Sequence, residues 1–253
     1  MKKYLLECER KYKKLGKKAS KEQVLGYSRY FKTPTRYQFY DIKRTTYREL
    51  PQALSFQSFS DKEQDKIWSY IFKNTSYLDL GDLAIFYFKN KFKKNRSIAR
   101  EWPLLKTWAT QIDNWIHGDM LASLYVEAFN EESTQVFPVL QKWSTHKNPW
   151  MRRMGLLSPL YYYQERRVLP KFTALEKMIT PNLKHPHYYL QKAVGWTIRE
   201  MTSAYPIQSW NFQKKYNTQI SSVAFSTSVE RTETKKKERL KEERREFRAS
   251  KRS

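Results

Sequence analysis

The sequence predicts an all-α chain built from helical hairpins stacked side by side, and three observations carry that expectation. Glycine is scarce, six in 253 residues. The two-residue alternation of a half-buried strand is rare. Apolar residues instead recur at three- and four-residue intervals, in runs separated by short polar breaks. With 40% apolar and 16% aromatic side chains, the chain has ample material for a core.

Taken in order, the runs justify the helices one by one. In SDKEQDKIWSYIFKN, Ser60 is placed as an N-cap and Glu63 completes a capping box. Ile67, Tyr70 and Ile71 then share a face, with Trp68 beside it. LGDLAIFYFKNKF gathers aromatics ahead of a basic end. SIAREWPLLKTWATQID keeps the helical spacing through Ile98, Trp102, Leu105 and Trp108, and Pro103 marks a helix start or kink. Further helices are expected in DNWIHGDMLASLYVEAF, ESTQVFPVLQKW, NPWMRRMGLLSPLYYY, RVLPKFTALEKMI and HPHYYLQKAVGWTIREMTSAY. The breaks STHKNP, QERR and TPNLKHP join helices of roughly 12–18 residues. A helix pair recurs about every 35–45 residues, the range of HEAT repeats.

The composition changes near residue 215. NTQISSVAFSTSVERTET is polar and poor in core residues, so residues 215–253 are expected to be a linker and a charged tail, solvated and partly helical. Residues 1–214 form the expected repeat domain.

Charge narrows the partner. Forty-nine Lys and Arg face 25 Asp and Glu, a formal net charge of +24. Residues 231–253 hold 11 basic and 5 acidic side chains, so the remainder still carries +18. A balance of this size predicts a polyanion, nucleic acid before membrane surface. No segment approaches 18 consecutive apolar residues, and no apolar leader core is visible. A soluble, intracellular, cytoplasmic protein is expected (nucleoid-associated in a bacterium). Cys8 is the sole cysteine, so neither an intrachain disulfide nor a thiolate zinc site can be built. Asp113/His117 and His185/His187 are possible ligand pairs, but neither matches a metal-binding spacing. No phosphate loop or nucleophile elbow is present. Neither a metal nor a cofactor is expected.

Three short segments remain. Trp115 and Asp119 are four residues apart, so an indole and a carboxylate leave one helix face. A core tryptophan with an aspartate capping the next helix is the structural alternative. In NPWMRRMGLL, Asn148 fits an N-cap and Pro149 the first turn. Arg152 and Arg153 follow where the helix dipole is already positive, so an anion should be close. A phosphate would serve, and so would a carboxylate such as Asp119 or Glu165. In YYLQKAVGWTIREM, Gly195 allows a neighbour to approach Trp196, and Arg199 flanks the same face.

Together the segments resemble the AlkC/AlkD-like DNA alkylation repair family of HEAT-like repeat proteins, over most of residues 1–210. The matches are W-x-x-x-D in NWIHGDMLA, W-x-R-R in NPWMRRMGLL and QKA-[VI]-GW-x-x-RE in QKAVGWTIRE. Asp41 stands where the family's "F-x-G-I-K" stretch has glycine. The resemblance implies a right-handed α-solenoid with duplex DNA on a basic concave face. It implies release of cationic bases such as 3-methyladenine and 7-methylguanine, with the lesion left largely in the duplex. It makes Asp119 the catalytic carboxylate and Trp115 and Trp196 its cleft aromatics. Arg153, Arg152, Arg199 and Lys147 become the DNA-contacting cations. The expected partner is double-stranded DNA with alkylated bases, bound by a monomer. The competing expectation is a non-catalytic HEAT-repeat protein that binds bent or branched DNA. His117 is left without a role.

Overall fold

The computed structural model describes residues 1–162 and 168–251. Among them are fourteen α-helices and one two-stranded ribbon, an all-α helical-repeat fold. The chain divides into two compact units, Met1–Leu124 and Tyr125–Ser253, rather than a repeat domain and a tail.

The first unit holds α1 (Lys2–Lys13), α2 (Lys21–Phe31), α3 (Arg44–Glu49), α4 (Asp61–Asn74), α5 (Leu78–Asn95) and α6 (Trp102–Leu105). The ribbon pairs β1 (Lys17–Lys18) with β2 (Tyr40–Asp41) in antiparallel register, Lys17 opposite Asp41. The capping box forms at Ser60, whose backbone N–H donates to Glu63 Oε2 (3.1 Å). The core is aromatic. Trp108 stacks on Phe72 with ring centres 4.1 Å apart, and its indole N–H donates to Ser69 Oγ (2.9 Å).

The stretch over residues 97–113, expected to be helical with a start or kink at Pro103, is largely 3₁₀ turns around α6. Pro103 starts that short helix, as expected. The apolar spacing explains the difference. Trp102, Leu105 and Trp108 are three apart and all buried, which aligns them better at three residues per turn than at 3.6.

Helix α7 (Trp115–Glu131) begins in the first unit and ends in the second. The second unit continues with α8 (Ser133–Trp143), α9 (Pro149–Leu157), α10 (Phe172–Ile179), α11 (Tyr188–Ala204), α12 (Pro206–Tyr216), α13 (Ser222–Ser228) and α14 (Thr234–Ala249). Helix α9 packs on α8 and on α11, and α13 lies along α11.

The expected linker and tail are therefore packed structure. Ile220, Ala224 and Val229 are buried, and Leu240 of α14 is fully so. The small polar residues that read as a linker are what close helix contact requires. A Cβ on Gly195 would sit 2.4 Å from the Ala224 carbonyl oxygen, so α11 and α13 meet backbone to backbone. The helical part of the tail expectation corresponds to α14.

Candidate functional site

In the first unit the candidate residues stand at the start of α7. Asn114 caps the helix: its side-chain oxygen accepts the His117 backbone N–H (2.9 Å). That orientation leaves the Asn114 amide nitrogen 3.2 Å from His117 Nδ1 and 3.0 Å from Asp113 Oδ1. An amide N–H can only donate, so Nδ1 accepts and Nε2 carries the hydrogen. Nε2 is 3.1 Å from the Leu78 carbonyl and 3.2 Å from Asp82 Oδ1. Tyr47 donates to the other Asp82 oxygen (3.3 Å). His117 is wholly buried, edge-on to Tyr37. A Cβ on Gly81 would meet its ring at 2.5 Å. These contacts answer what His117 does: it bolts the first turn of α7 to α5.

Two residues either side, the helix turns outward. Trp115 and Asp119 are both half-buried. Trp115 packs against the cluster of Phe31, Tyr37 and Leu78, and its ring lies 5.3 Å from that of Tyr30. The indole is thus held on one flank while its helix neighbour Asp119 reaches the same side. Asp113 takes no part in that face. It accepts from Thr35 Oγ1 (3.1 Å) and the Arg36 backbone N–H (2.7 Å), tying down the loop after α2.

The second unit holds the other residues. Asn148 caps α9, accepting from the Trp150 N–H (2.9 Å), with Pro149 in the first turn. Lys147 is exposed on the turn before it. Arg152 is half-buried and donates to the His146 carbonyl (2.6 Å) and Asn182 Oδ1 (3.1 Å). Arg153 departs from the expected DNA-backbone contact. It is 2% exposed and donates to the Tyr189 carbonyl (2.7 Å). The reason is helical geometry, because its position on α9 faces α11. Glu165, considered as an arginine partner, lies outside the described residues.

Trp196 is half-buried on α11, stacked on Tyr161 with ring centres 5.4 Å apart. Its indole N–H is buried and has no partner among the described residues. The Arg199 guanidinium sits 4.9 Å over its ring. Arg199 is committed elsewhere as well: it donates to Glu200 Oε1 (2.9 Å) and Glu230 Oε2 (2.7 Å). Glu200 is fully buried and also accepts from Arg231 (2.8 Å). Burial of Arg199 works against its charge, and the two glutamates outweigh it, holding its pKa above the usual guanidinium value. Of its two partners, Glu200 is buried and Glu230 is exposed.

His185 and His187, the pair that a metal site could be drawn on, are local caps. His187 Nδ1 accepts the Leu190 N–H at the start of α11, and His185 Nδ1 accepts the His187 N–H. Among the described residues, no group of three His, Cys, Asp or Glu is placed to hold a metal ion. No described helix is long and apolar enough to cross a membrane.

Sequence reasoning did not find Tyr30, Tyr161 or the Glu230–Arg199–Glu200–Arg231 chain. Tyr161 opens the run YYY, a local hint; Glu200 adjoins Arg199, while Glu230 and Arg231 are each brought in from 31 positions away.

The sequence matches the model of the DNA alkylation repair enzyme family over residues 12–232. Three solved structures share the fold. A protein described as a predicted DNA alkylation repair enzyme from Enterococcus faecalis superposes with a TM-score of 0.67 at 17% identity, covering 87% of this chain and 99% of its own. AlkD2 from Streptococcus mutans gives 0.52 at 14% identity, covering 83% and 98%. The smu.31 protein from Streptococcus mutans UA159 gives 0.51 at 15%, covering 72% and 90%. No curated protein matches the sequence.

Proposed function

Since the chain belongs to the DNA alkylation repair enzyme family, we propose that it is a DNA N-glycosylase that releases positively charged N-alkylated purines from duplex DNA. The observation that carries the reading is the start of α7, where an indole and a carboxylate share one half-buried face.

The chemistry asks for those two groups. Alkylation at N3 or N7 puts a positive charge on the purine, so the base leaves with its bonding electrons and little protonation. The sugar left behind is oxocarbenium-like. Asp119 stabilises that cation; at about 4 Å and an effective dielectric near 20 the attraction is about 4 kcal/mol. The same carboxylate orients the water that attacks the sugar carbon and accepts its proton. Trp115 faces the cationic base or sugar and adds roughly 0.5–2 kcal/mol of cation–π attraction. In the second unit, Trp196 presents an indole of its own. Because the leaving group is already cationic, the step needs no Lewis acid.

Within this reading the cations divide. Lys147 and Arg152 are accessible to phosphates, Arg199 becomes so when Glu230 gives way, and Arg153 is a positioning residue that ties α9 to α11.

The test is base release from methylated duplex DNA, with abasic sites as the second product. Purified protein should release 3-methyladenine or 7-methylguanine, and Asp119→Asn should bind DNA normally but release little. Tight binding with no release at high enzyme concentration would establish the non-catalytic DNA-binding alternative instead.

A further inference from the structure

In the second unit, the turn before α11, α13 and the last turns of α14 enclose a cleft of about 510 Å³. Its charged lining is all of one sign: Lys184, Arg244 and Arg248, with the neutral ring of His185 among them. Among the described residues no carboxylate lines it. Tyr188 and Phe247 supply aromatic edges.

Arg244 is the unusual member. It is 8% exposed, yet among the described residues it has no carboxylate partner. Its Nη1 donates to the Asn217 and Ile220 carbonyls, and the guanidinium lies 4.4 Å over the Phe225 ring. Its Nε and Nη2 donate to no described residue. Arg248 is one turn along α14 on the same face and donates only to Ser222 Oγ (3.2 Å). Burial, and then the neighbouring Arg248 charge, lower the Arg244 pKa. A buried cation faced by a second cation is costly unless an anion joins them.

We propose that this cleft binds a phosphate group, held by the free edge of the Arg244 guanidinium and neutralised by Arg248 and Lys184. Nε and Nη2 form the fork that takes two phosphate oxygens at once. Backbone carbonyls hold Nη1 and fix the orientation of that fork. The phosphate has two possible sources, the backbone of DNA and the free ion. Neither depends on Asp119 or on base release.

The experiment has two arms, both independent of catalysis. In the first, the affinity for undamaged duplex DNA is measured against salt concentration for the full chain and for the Lys184→Gln/Arg248→Gln double variant. Both residues are exposed, so the variant should keep the wild-type melting curve. Phosphodiester binding predicts a log–log salt slope shallower by about one to two. In the second arm, inorganic phosphate is titrated while the Arg244 Nε–H resonance is followed by NMR. The resonance should shift saturably in the wild type and far less in the double variant. A changed slope assigns the site to DNA; a shift with an unchanged slope assigns it to free phosphate. An unchanged slope with no shift overturns the proposal. Arg244→Gln should abolish either response, and the double variant keeps the test open if that protein fails to fold.

Discussion

Of the two tryptophans expected as cleft aromatics each unit carries one, and the two are given opposite company. In the first, Trp115 shares its helix face with a carboxylate, and the helix is anchored from behind by Asn114, His117 and the Leu78 carbonyl. In the second, Trp196 lies beneath a guanidinium held in a chain of alternating charge, Glu230–Arg199–Glu200–Arg231. The difference teaches where each unit invests its polar groups. The first surrounds its anchor with hydrogen bonds and leaves its carboxylate half-buried. The second turns its carboxylate inward, so Glu200 organises structure. A tryptophan with a nearby acid is thus not one motif: burial decides whether the acid meets a ligand or a neighbouring helix.

The widest test of that contrast removes the charge of each acid without changing its shape. Asp119→Asn should cut base release by roughly 100- to 1,000-fold, the scale for losing one preorganised electrostatic partner of a transition state, while thermal stability stays near wild type. Glu200→Gln should do the reverse. It strands Arg199 and Arg231 on a buried amide and should cost about 3 kcal/mol in urea unfolding. Residual release by its folded fraction should stay within severalfold of wild type. If Asp119→Asn unfolds the protein while Glu200→Gln only slows release, the assignment of roles is backwards.

How much of this was legible in the sequence follows the same divide. Local signals read true: the caps at Ser60 and Asn148, Pro103 as a helix start, the shared face of Trp115 and Asp119, and close approach at Gly195. Those features depend on residues within about one turn. Features that need a distant partner were hidden. Arg153 reads as a surface cation until α11 offers the Tyr189 carbonyl 36 positions away. The segment after residue 215 reads as a linker because serine, threonine and alanine are poor in buried apolar area. Their smallness is their contribution, and it is visible only once α11 lies alongside.

Matched glycine substitutions sharpen the comparison at a smaller scale. Gly195→Ala drives a methyl group into the Ala224 carbonyl oxygen at 2.4 Å, and Gly81→Ala drives one into the His117 ring at 2.5 Å. Overpacking costs about 1–3 kcal/mol, and Gly195→Ala should be the worse because backbone cannot rotate away. Its unfolding midpoint should fall below that of Gly81→Ala. Gly81→Ala should instead lower base release, because displacing His117 tilts the turn that carries Trp115 and Asp119.

The smallest expected effect is a pH dependence confined to the second unit's caps. Burial lowers the pKa of His185 and His187; Arg152 adds to the first, and His185 and Arg153 to the second. In the unfolded chain both titrate near the ordinary histidine value of about 6.5. Below that value the unfolded state binds more protons than the folded one, so stability is full above it and is lost as pH falls toward the folded values. Protonation also turns Nδ1 of His187 from an acceptor into a donor and removes the cap on Leu190. The unfolding midpoint in urea should therefore be lower at pH 5.5 than at pH 7.5. His187→Asn keeps a capping acceptor without a titrating group, so it should retain most of the stability at pH 7.5 and lose less on acidification. Equal losses in the variant and the wild type would move the pH dependence away from this cap.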